Sequence, residues 1–471
     1  MLIYIISHNF TIFYCFNQIK LYIVKIAHGY YNRYTTFSYV QEGELMTMDG
    51  FKYRNFNNDP TPDGEIKIGC KKDFYSVKFD IATDLSDSFL NFSKAYYLSA
   101  DIIANRMLNE HQIDELDRYF FPLFFLYRHS VELILKSIGC IFITDKTDRI
   151  SFLNDTFHNL EVIYQYLLER TSKVRPDDES IWLQNYFHSI SKFDRESDSF
   201  RYPFHIKKKN DGFGNVVYSL HRVFQKQTHI DLIGEINKMI AAYEILMNWY
   251  LDFEDDKSVH ISSEYKLCTT SFLDEGGYYY EQSVVGYEYH HNDFYAYLSG
   301  YKECANYLKQ YMVQEYDNGN NTIGYMVYPM CYLYRNDIEL LLKAIIIDFS
   351  DQSLQGKCAA AYENKHSIPK LFANVEKHAL PIYEIAKEDP YVKNAKRYCE
   401  LLHKFDLDSS KFRYPVNKQC DPYYQMVRYF DFVQLGVFLE SLCNAVDGIH
   451  GEIEYRKDAI DTMTAEYNGY I

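Results

Sequence analysis

Apolar residues recur at three- and four-residue intervals along most of the chain, the period of a helix with a buried face. In the first half this pattern predicts helices over 86–110, 113–141, 157–173, 179–193 and 229–252. In the second half it predicts them over 293–314, 324–349, 365–387, 390–405 and 422–446. Asp155, three residues before His158, and Asp231 stand where helix N-caps are expected. Pro203 and Pro415 are expected to close the fourth helical region of each half. The turn-rich stretch from Lys207 to Asn215 predicts a small hairpin, and Tyr/Val-rich runs in 50–80 and 253–292 predict short strands. The expected fold class is all-α, with two tandem four- or five-helix bundles and minor β hairpins in the linkers.

The two halves read as copies of one another. Tyr127-Arg128-His129-Ser130-Val131-Glu132-Leu133-Ile134-Leu135-Lys136 aligns with Tyr334-Arg335-Asn336-Asp337-Ile338-Glu339-Leu340-Leu341-Leu342-Lys343. Tyr97-Leu98-Ser99-Ala100 aligns with Tyr297-Leu298-Ser299-Gly300, and Pro122 with Pro329. Further on, His158-Asn159-Leu160 aligns with His366-Ser367-Ile368, Lys192-Phe193-Asp194 with Lys404-Phe405-Asp406, and Phe200-Arg201-Tyr202-Pro203 with Phe412-Arg413-Tyr414-Pro415. Constant order at an offset of 200 to 212 residues argues for an internal duplication. The expected domains are 84–253 and 292–447, with a lead-in at 46–83, a linker at 254–291 and a tail at 448–471.

Composition narrows the class. The chain has 471 residues, 47% hydrophobic and 24% charged, which is globular rather than disordered. Its 47 Tyr and 33 Phe supply both core and hydroxyl groups for the core's edges. A formal charge of −16 argues against an extended basic nucleic-acid surface but leaves room for a local one. Ten cysteines without a Cys-x-x-Cys pair, several in apolar helical stretches such as Cys140, Cys331 and Cys443, point to buried thiols in a reducing cytoplasm. Residues 1–45 differ from the rest: no acidic residue precedes Glu42, the first charge is Lys20, and polar interruptions break every apolar run. They match neither a secretory signal nor a membrane span, and no membrane association is expected. Gln41-Glu42-Gly43-Glu44 is what a purine-rich ribosome-binding site encodes, so translation is expected to start at Met46 or Met48.

Candidate chemistry concentrates in the repeated residues. Arg128, Glu132 and Lys136 are spaced i, i+4, i+8 and share one helix face, as do Arg335, Glu339 and Lys343. The first helix is apolar nearly all round, which makes it central, and its charges must then be paired. Arg201 and Arg413 are the expected bidentate partners of Glu132 and Glu339, with His158 and His366 completing each network. Nucleotide-loop glycine motifs, His-Glu-x-x-His and Gly-x-Ser-x-Gly are absent from the sequence, and no metal or cofactor is expected. His290-His291 reads as surface, Gly212-Phe213-Gly214 as a turn, and Lys207-Lys208-Lys209 as a solvated run that could touch phosphate.

The run Tyr-Arg-x-x-x-Glu-Leu-x-Leu-Lys, the downstream His-x-Leu/Ile, the Asp and the Phe-Arg-Tyr-Pro resemble helical HEPN-type domains of prokaryotic proteins, over about 85–250 and 290–447. That resemblance implies a helical bundle that dimerises, here as an intramolecular pseudo-dimer. In many members it also implies metal-independent RNA cleavage in defence or toxin systems. The implied partners are RNA or nucleotide and a protein encoded nearby. The active members use an Arg-x(4–6)-His motif from two domains, which Arg397-x5-His403 and Arg222-x6-His229 fit by spacing. Neither has a symmetric counterpart: Asn185 and Ser191 stand where Arg397 and His403 fall in the other copy. Two functions therefore stand side by side, a metal-independent endoribonuclease and a non-catalytic module that binds a nucleotide, peptide or protein.

Overall fold

A computed structural model describes residues 75–79, 84–110, 112–171, 175–253, 263–286, 294–407, 409–423 and 428–469. The expectations for 1–45, for most of 46–83, and for 254–262 and 287–291, His290-His291 included, lie outside these residues. The described chain is predominantly helical, with thirteen α-helices and a few small strands.

In chain order these are β1 (Ser76–Phe79), α1 (Leu85–Glu110), α2 (Ile113–Arg118), α3 (Phe120–Phe142), α4 (Lys146–Thr156), α5 (Leu160–Leu168) and α6 (Asp177–Phe193). There follow β2 (Phe204–Asn210), β3 (Val216–Arg222), β4 (Thr228–Asp231), α7 (Leu232–Phe253) and β5 (Gln282–Val285). The chain ends with α8 (Tyr295–Asp317), α9 (Val327–Phe349), α10 (Leu354–Glu363), α11 (Ile368–His378), α12 (Pro390–Phe405), β6 (Arg428–Asp431) and α13 (Phe432–Gly469).

Two helices are central because their sequences leave no polar face to present to water. α3 is buried from Phe120 to Cys140 and packs against α1, α7 and α5. α9 is buried over nearly its whole length and packs against α8, α13 and α11. The groups of helices also meet each other: α3 touches α8, and α9 touches α1. Gly300 permits one of these approaches, since a Cβ there would lie 2.0 Å from the Arg118 carbonyl oxygen. Aromatic rings fill the contact, with Phe125 stacked on Tyr332 at 4.5 Å and Phe92 on Tyr328 at 4.2 Å.

The strands do not behave as linker hairpins. Among the described residues only β2 and β3 form one, in register from Phe204↔Arg222 to Asn210↔Val216. β1 pairs antiparallel with β6, and β4 with β5, so each of these ribbons joins segments far apart in the chain.

Several helix boundaries differ from the periodicity. Residues 146–156 and 354–363 form helices of their own, which the pattern missed because each has a broken apolar stripe. Asp155 lies inside α4, and Asn159 caps α5 instead, its side chain accepting from the Glu161 and Val162 amides. Asp231 does cap α7, accepting from the Gly234 amide, and Asp431 caps α13 likewise. The fourth helices end at Phe193 and Phe405, as the periodicity predicts, but Asp194 and Asp406 rather than Pro203 and Pro415 close them, because the helical backbone breaks at those aspartates. The predicted tail over 448–471 continues α13 as helix to Gly469. α13 is also long and apolar enough to cross a membrane by length and composition; its first half is core, through Leu435, Leu439, Leu442 and Val446. The eight described cysteines form no disulfide, and Cys140, Cys331 and Cys443 are buried.

Candidate functional site: two composite polar clusters

Helical spacing delivers the first cluster. One turn of α3 separates Arg128 from Glu132, and the next turn brings Lys136. Arg128 and Glu132 are wholly buried and pair at 3.0 Å, and the Lys136 ammonium lies 2.7 Å from the other Glu132 oxygen. A buried carboxylate of this kind must collect donors from every side. His158, just ahead of α5, supplies one through Nδ1 at 3.0 Å. The fourth comes from 282 residues away: the Tyr414 hydroxyl donates to Glu132 Oε1 at 2.8 Å.

Arg128 is satisfied in turn. Its Nε meets Asp194 Oδ2 at 2.8 Å, and Nη2 donates to the backbone carbonyls of His158 at 2.5 Å and Asp194 at 3.2 Å. Asp194 is the residue that stops α6, so the break that ends the helix also delivers the carboxylate. Its second oxygen accepts from the Asp198 and Ser199 amides, closing the turn that leads to Phe200-Arg201-Tyr202-Pro203.

The second cluster has the same parts. Arg335 and Glu339 are wholly buried and pair at 2.8 Å, Lys343 reaches Glu339 at 2.7 Å, and His366 Nδ1 lies 3.0 Å from it. Arg335 Nε meets Asp406 at 2.8 Å, and Nη2 donates to the His366 carbonyl. The distant hydroxyl is now Tyr202, which donates to Glu339 at 2.6 Å. Each tyrosine ring also lies beside the lysine of the cluster it enters, Tyr414 at 4.8 Å from Lys136 Nζ and Tyr202 at 4.1 Å from Lys343 Nζ.

Backbone contacts aim these tyrosines. Tyr96 on α1 donates to the Phe412 carbonyl, and His129 Nε2 lies 3.0 Å from the Arg413 carbonyl. Reciprocally, Tyr301 and Tyr297 on α8 donate to the Phe200 and Ser199 carbonyls. The Phe-Arg-Tyr-Pro segment that follows α6 is thus held by α8, and the one that follows α12 by α1.

One expectation is corrected here. Arg201 and Arg413 do not pair with Glu132 and Glu339. Arg201 bonds the Tyr202 hydroxyl, Arg413 Nε donates to the Ser409 carbonyl, and both guanidinium groups lie 5.9 Å from the Tyr332 ring. The glutamates are already filled by arginine, lysine, histidine and tyrosine donors, so Arg201 and Arg413 take carbonyl, hydroxyl and ring partners instead. Arg128, Glu132, Lys136, His158, Arg335, Glu339, Lys343 and His366 do converge as expected. Sequence reasoning gave no role to Asp194, Asp406, Tyr202 or Tyr414, although all four recur in the repeat and that recurrence was their signal.

Burial alone raises the Glu132 and Glu339 carboxyls, but the adjoining lysine and histidine outweigh it and hold both well below the usual carboxylate range. Burial pushes His158 and His366 down to about 4, against the pull of the glutamates. Both rings are therefore neutral at physiological pH. Nδ1 carries the proton toward the carboxylate, which can only accept, and the ring edges are 27% and 31% exposed. A base of this strength is poorly matched to proton abstraction at neutral pH.

The spacing-matched pairs are arranged differently. Arg397 and His403 both lie on α12, half-buried and roughly 120° apart around the helix axis at a six-residue separation. His403 Nδ1 is buried with no hydrogen-bond partner among the described residues. Arg222 closes β3 opposite Phe204, whereas His229 is exposed on β4 opposite Val284, in a different ribbon. Among the described residues no group of three or more metal-ligating side chains is assembled.

The hydroxyls of Tyr414 and Tyr202 donate to buried carboxylates, so their removal is expected to register in stability. Tyr414→Phe and Tyr202→Phe should each cost about 1.5–3 kcal/mol in urea unfolding, the range for hydrogen bonds to charged groups. Unchanged midpoints in both would show that the cross-chain bonds are not formed in solution. No family model matches this chain, and no curated protein and no solved structure matches it.

Proposed function

We propose that the chain is an internally duplicated, HEPN-type helical protein folded as an intramolecular pseudo-dimer, and that it acts as a non-catalytic module binding RNA or nucleotide. The duplication reading is supported by the matched contacts of the two clusters and by their reciprocal tyrosines. It is supported again by β1 pairing with β6 and β4 with β5, because each strand that leads into one half pairs with a strand of the other. In this reading Tyr96 and Tyr301 are counterparts, since each donates to the equivalent phenylalanine carbonyl. Tyr127 and Tyr334 then face Asp101 and Asn306, which shifts the first-helix alignment by five residues from the Tyr97/Tyr297 match.

The non-catalytic reading rests on one observation. The repeated ionisable residues are consumed by internal pairing, and the Arg-x-His candidates lie roughly 120° apart on α12 in one case and on two different β ribbons in the other. Each cluster, with Arg413 or Arg201 counted, carries three fixed cations against two carboxylates, a local positive excess inside a protein of net charge −16. A second reading, metal-independent ribonuclease action in a defence or toxin system, draws on the unpartnered His403 Nδ1, six residues after Arg397.

Induced expression with inspection of total RNA separates the two. The binding reading expects intact RNA from wild type and from His403→Ala and His229→Ala. Fragmented RNA with wild type, restored to full length by His403→Ala, would replace it with the ribonuclease reading.

A further inference from the structure

We propose that the outward face of the β2–β3 hairpin is a docking surface for the phosphodiester backbone of single-stranded RNA, with Phe213 at its tip as a stacking platform for a base. This rests on the binding reading above and names the surface that would carry it, which is separate from both polar clusters.

Strand alternation sorts the hairpin's residues onto two faces. Phe204, Lys208 and Tyr218 face the body. Phe204 packs near Phe294, Lys208 pairs with Glu363 at 2.6 Å, and the Tyr218 hydroxyl donates to the same carboxylate. The Tyr218 backbone exchanges hydrogen bonds with the Gln355 side chain on α10. These contacts anchor one face and spend Lys208 on structure.

The other face carries His205, Lys207 and Lys209, set opposite His221, Ser219 and Val217. Lys207 and Lys209 are exposed and make no ion pair among the described residues. They stand two residues apart on one strand, about 6.7 Å, a separation comparable with that of successive phosphates along an extended strand. No carboxylate of the two strands stands on this face, and Asp198 beside it is engaged with His205 at 3.1 Å. The stretch Phe204–Arg222 holds Lys207, Lys208, Lys209 and Arg222 against the single acid Asp211, in a chain of net charge −16.

Asp211 is not a counter-charge for the lysines, because it builds the turn. Its side chain accepts from the Phe213 and Asn215 amides at 2.8 Å each, and Gly214 takes the positive φ of 84° that the turn requires. This hydrogen-bonded turn holds Phe213 out at 93% exposure, the largest exposed fraction of any large apolar side chain described. A base can stack on such a ring at little ordering cost, and lysines along one edge supply a sequence-independent hold on phosphates. Among the described residues the second half has the isolated bridge Val416↔Pro422 at the corresponding place and no equivalent hairpin.

The test is fluorescence anisotropy of a labelled oligouridylate 20-mer with the full chain, over a series of salt concentrations. Lys207→Glu/Lys209→Glu is expected to weaken binding by about tenfold or more and to reduce the salt slope by about 1.4, as two lost single-strand phosphate contacts require. Phe213→Ala is expected to weaken binding about fivefold or more, with the salt slope kept. These residues lie outside the core, so thermal unfolding should be unchanged and reports that each variant is folded. Wild-type affinity in the lysine variant overturns the hairpin assignment and leaves the binding reading standing. Absence of binding by wild type overturns both. Hairpin-dependent binding accompanied by cleavage of the oligonucleotide upholds the surface and overturns the non-catalytic reading alone.

Discussion

Glu132→Ala is expected to destabilise the protein by about 3–5 kcal/mol, measured by urea unfolding at neutral pH. The substitution strands the Arg128 guanidinium and the Lys136 ammonium in a buried site, and their desolvation is then uncompensated. It also removes the acceptor for His158 and for Tyr414, so the loss reaches the contact between α3 and the segment after α12. Glu339→Ala should behave alike, through Arg335, Lys343, His366 and Tyr202. The informative contrast is a combined replacement of Arg128, Glu132, Lys136 and Asp194 by Met, Leu, Met and Asn. Removing all four charges leaves no ion stranded, and the side-chain amide at 194 still accepts from the Asp198 and Ser199 backbone, so the cost should be much less than that of Glu132→Ala alone. A loss below about 1 kcal/mol from both glutamate variants would mean that water reaches these clusters.

The second large effect is on pH dependence. His158 and His366 have folded values of about 4 against an ordinary 6.5, so the unfolded chain binds protons more readily than the folded one. The stability they confer is fully present above pH 6.5 and is lost as pH falls toward 4. The shift amounts to about 3 kcal/mol for each ring. Glu132 and Glu339, held low, add to the loss below their ordinary 4.5. Other buried acids act in the opposite direction. Burial raises Asp337 to about 8 and Asp101 to about 6, so what they contribute is lost as pH rises. The clean measurement is therefore a difference: unfolding free energy of wild type minus that of His158→Gln/His366→Gln, at pH 7.5, 6 and 4.5. This difference should fall by several kcal/mol over the range. A difference independent of pH would show that the rings are not held neutral by burial.

Much of the site was legible because helical geometry converts spacing into contact. Arg128, Glu132 and Lys136 had to share a face, and an apolar surround required them to be paired. The caps at Asp231 and the buried thiols follow from equally local rules. The Arg201 and Arg413 partners were misassigned for a reason that is physical. Both Phe-Arg-Tyr-Pro segments end in a donor-rich Arg-Tyr pair, and spacing gives no preference between arginine and tyrosine as the group that reaches a buried carboxylate. Both guanidinium groups are buried all the same, and the fold places the Tyr202 and Tyr414 hydroxyls on the carboxylates while the arginines bond the neighbouring Tyr202 hydroxyl and Ser409 carbonyl.

By itself, then, the chain determined its helical class, the central place of α3 and the charged ladders on α3 and α9, because these depend on residues within a few positions of one another. The tertiary structure decided that Tyr414 enters the cluster of Glu132 and Tyr202 that of Glu339, across 282 and 137 residues. The two stretches carry the same residue types, so either tyrosine satisfies either glutamate on paper. Only the packing of α1 and α8 against the turns after α12 and α6 selects the exchanged pairing.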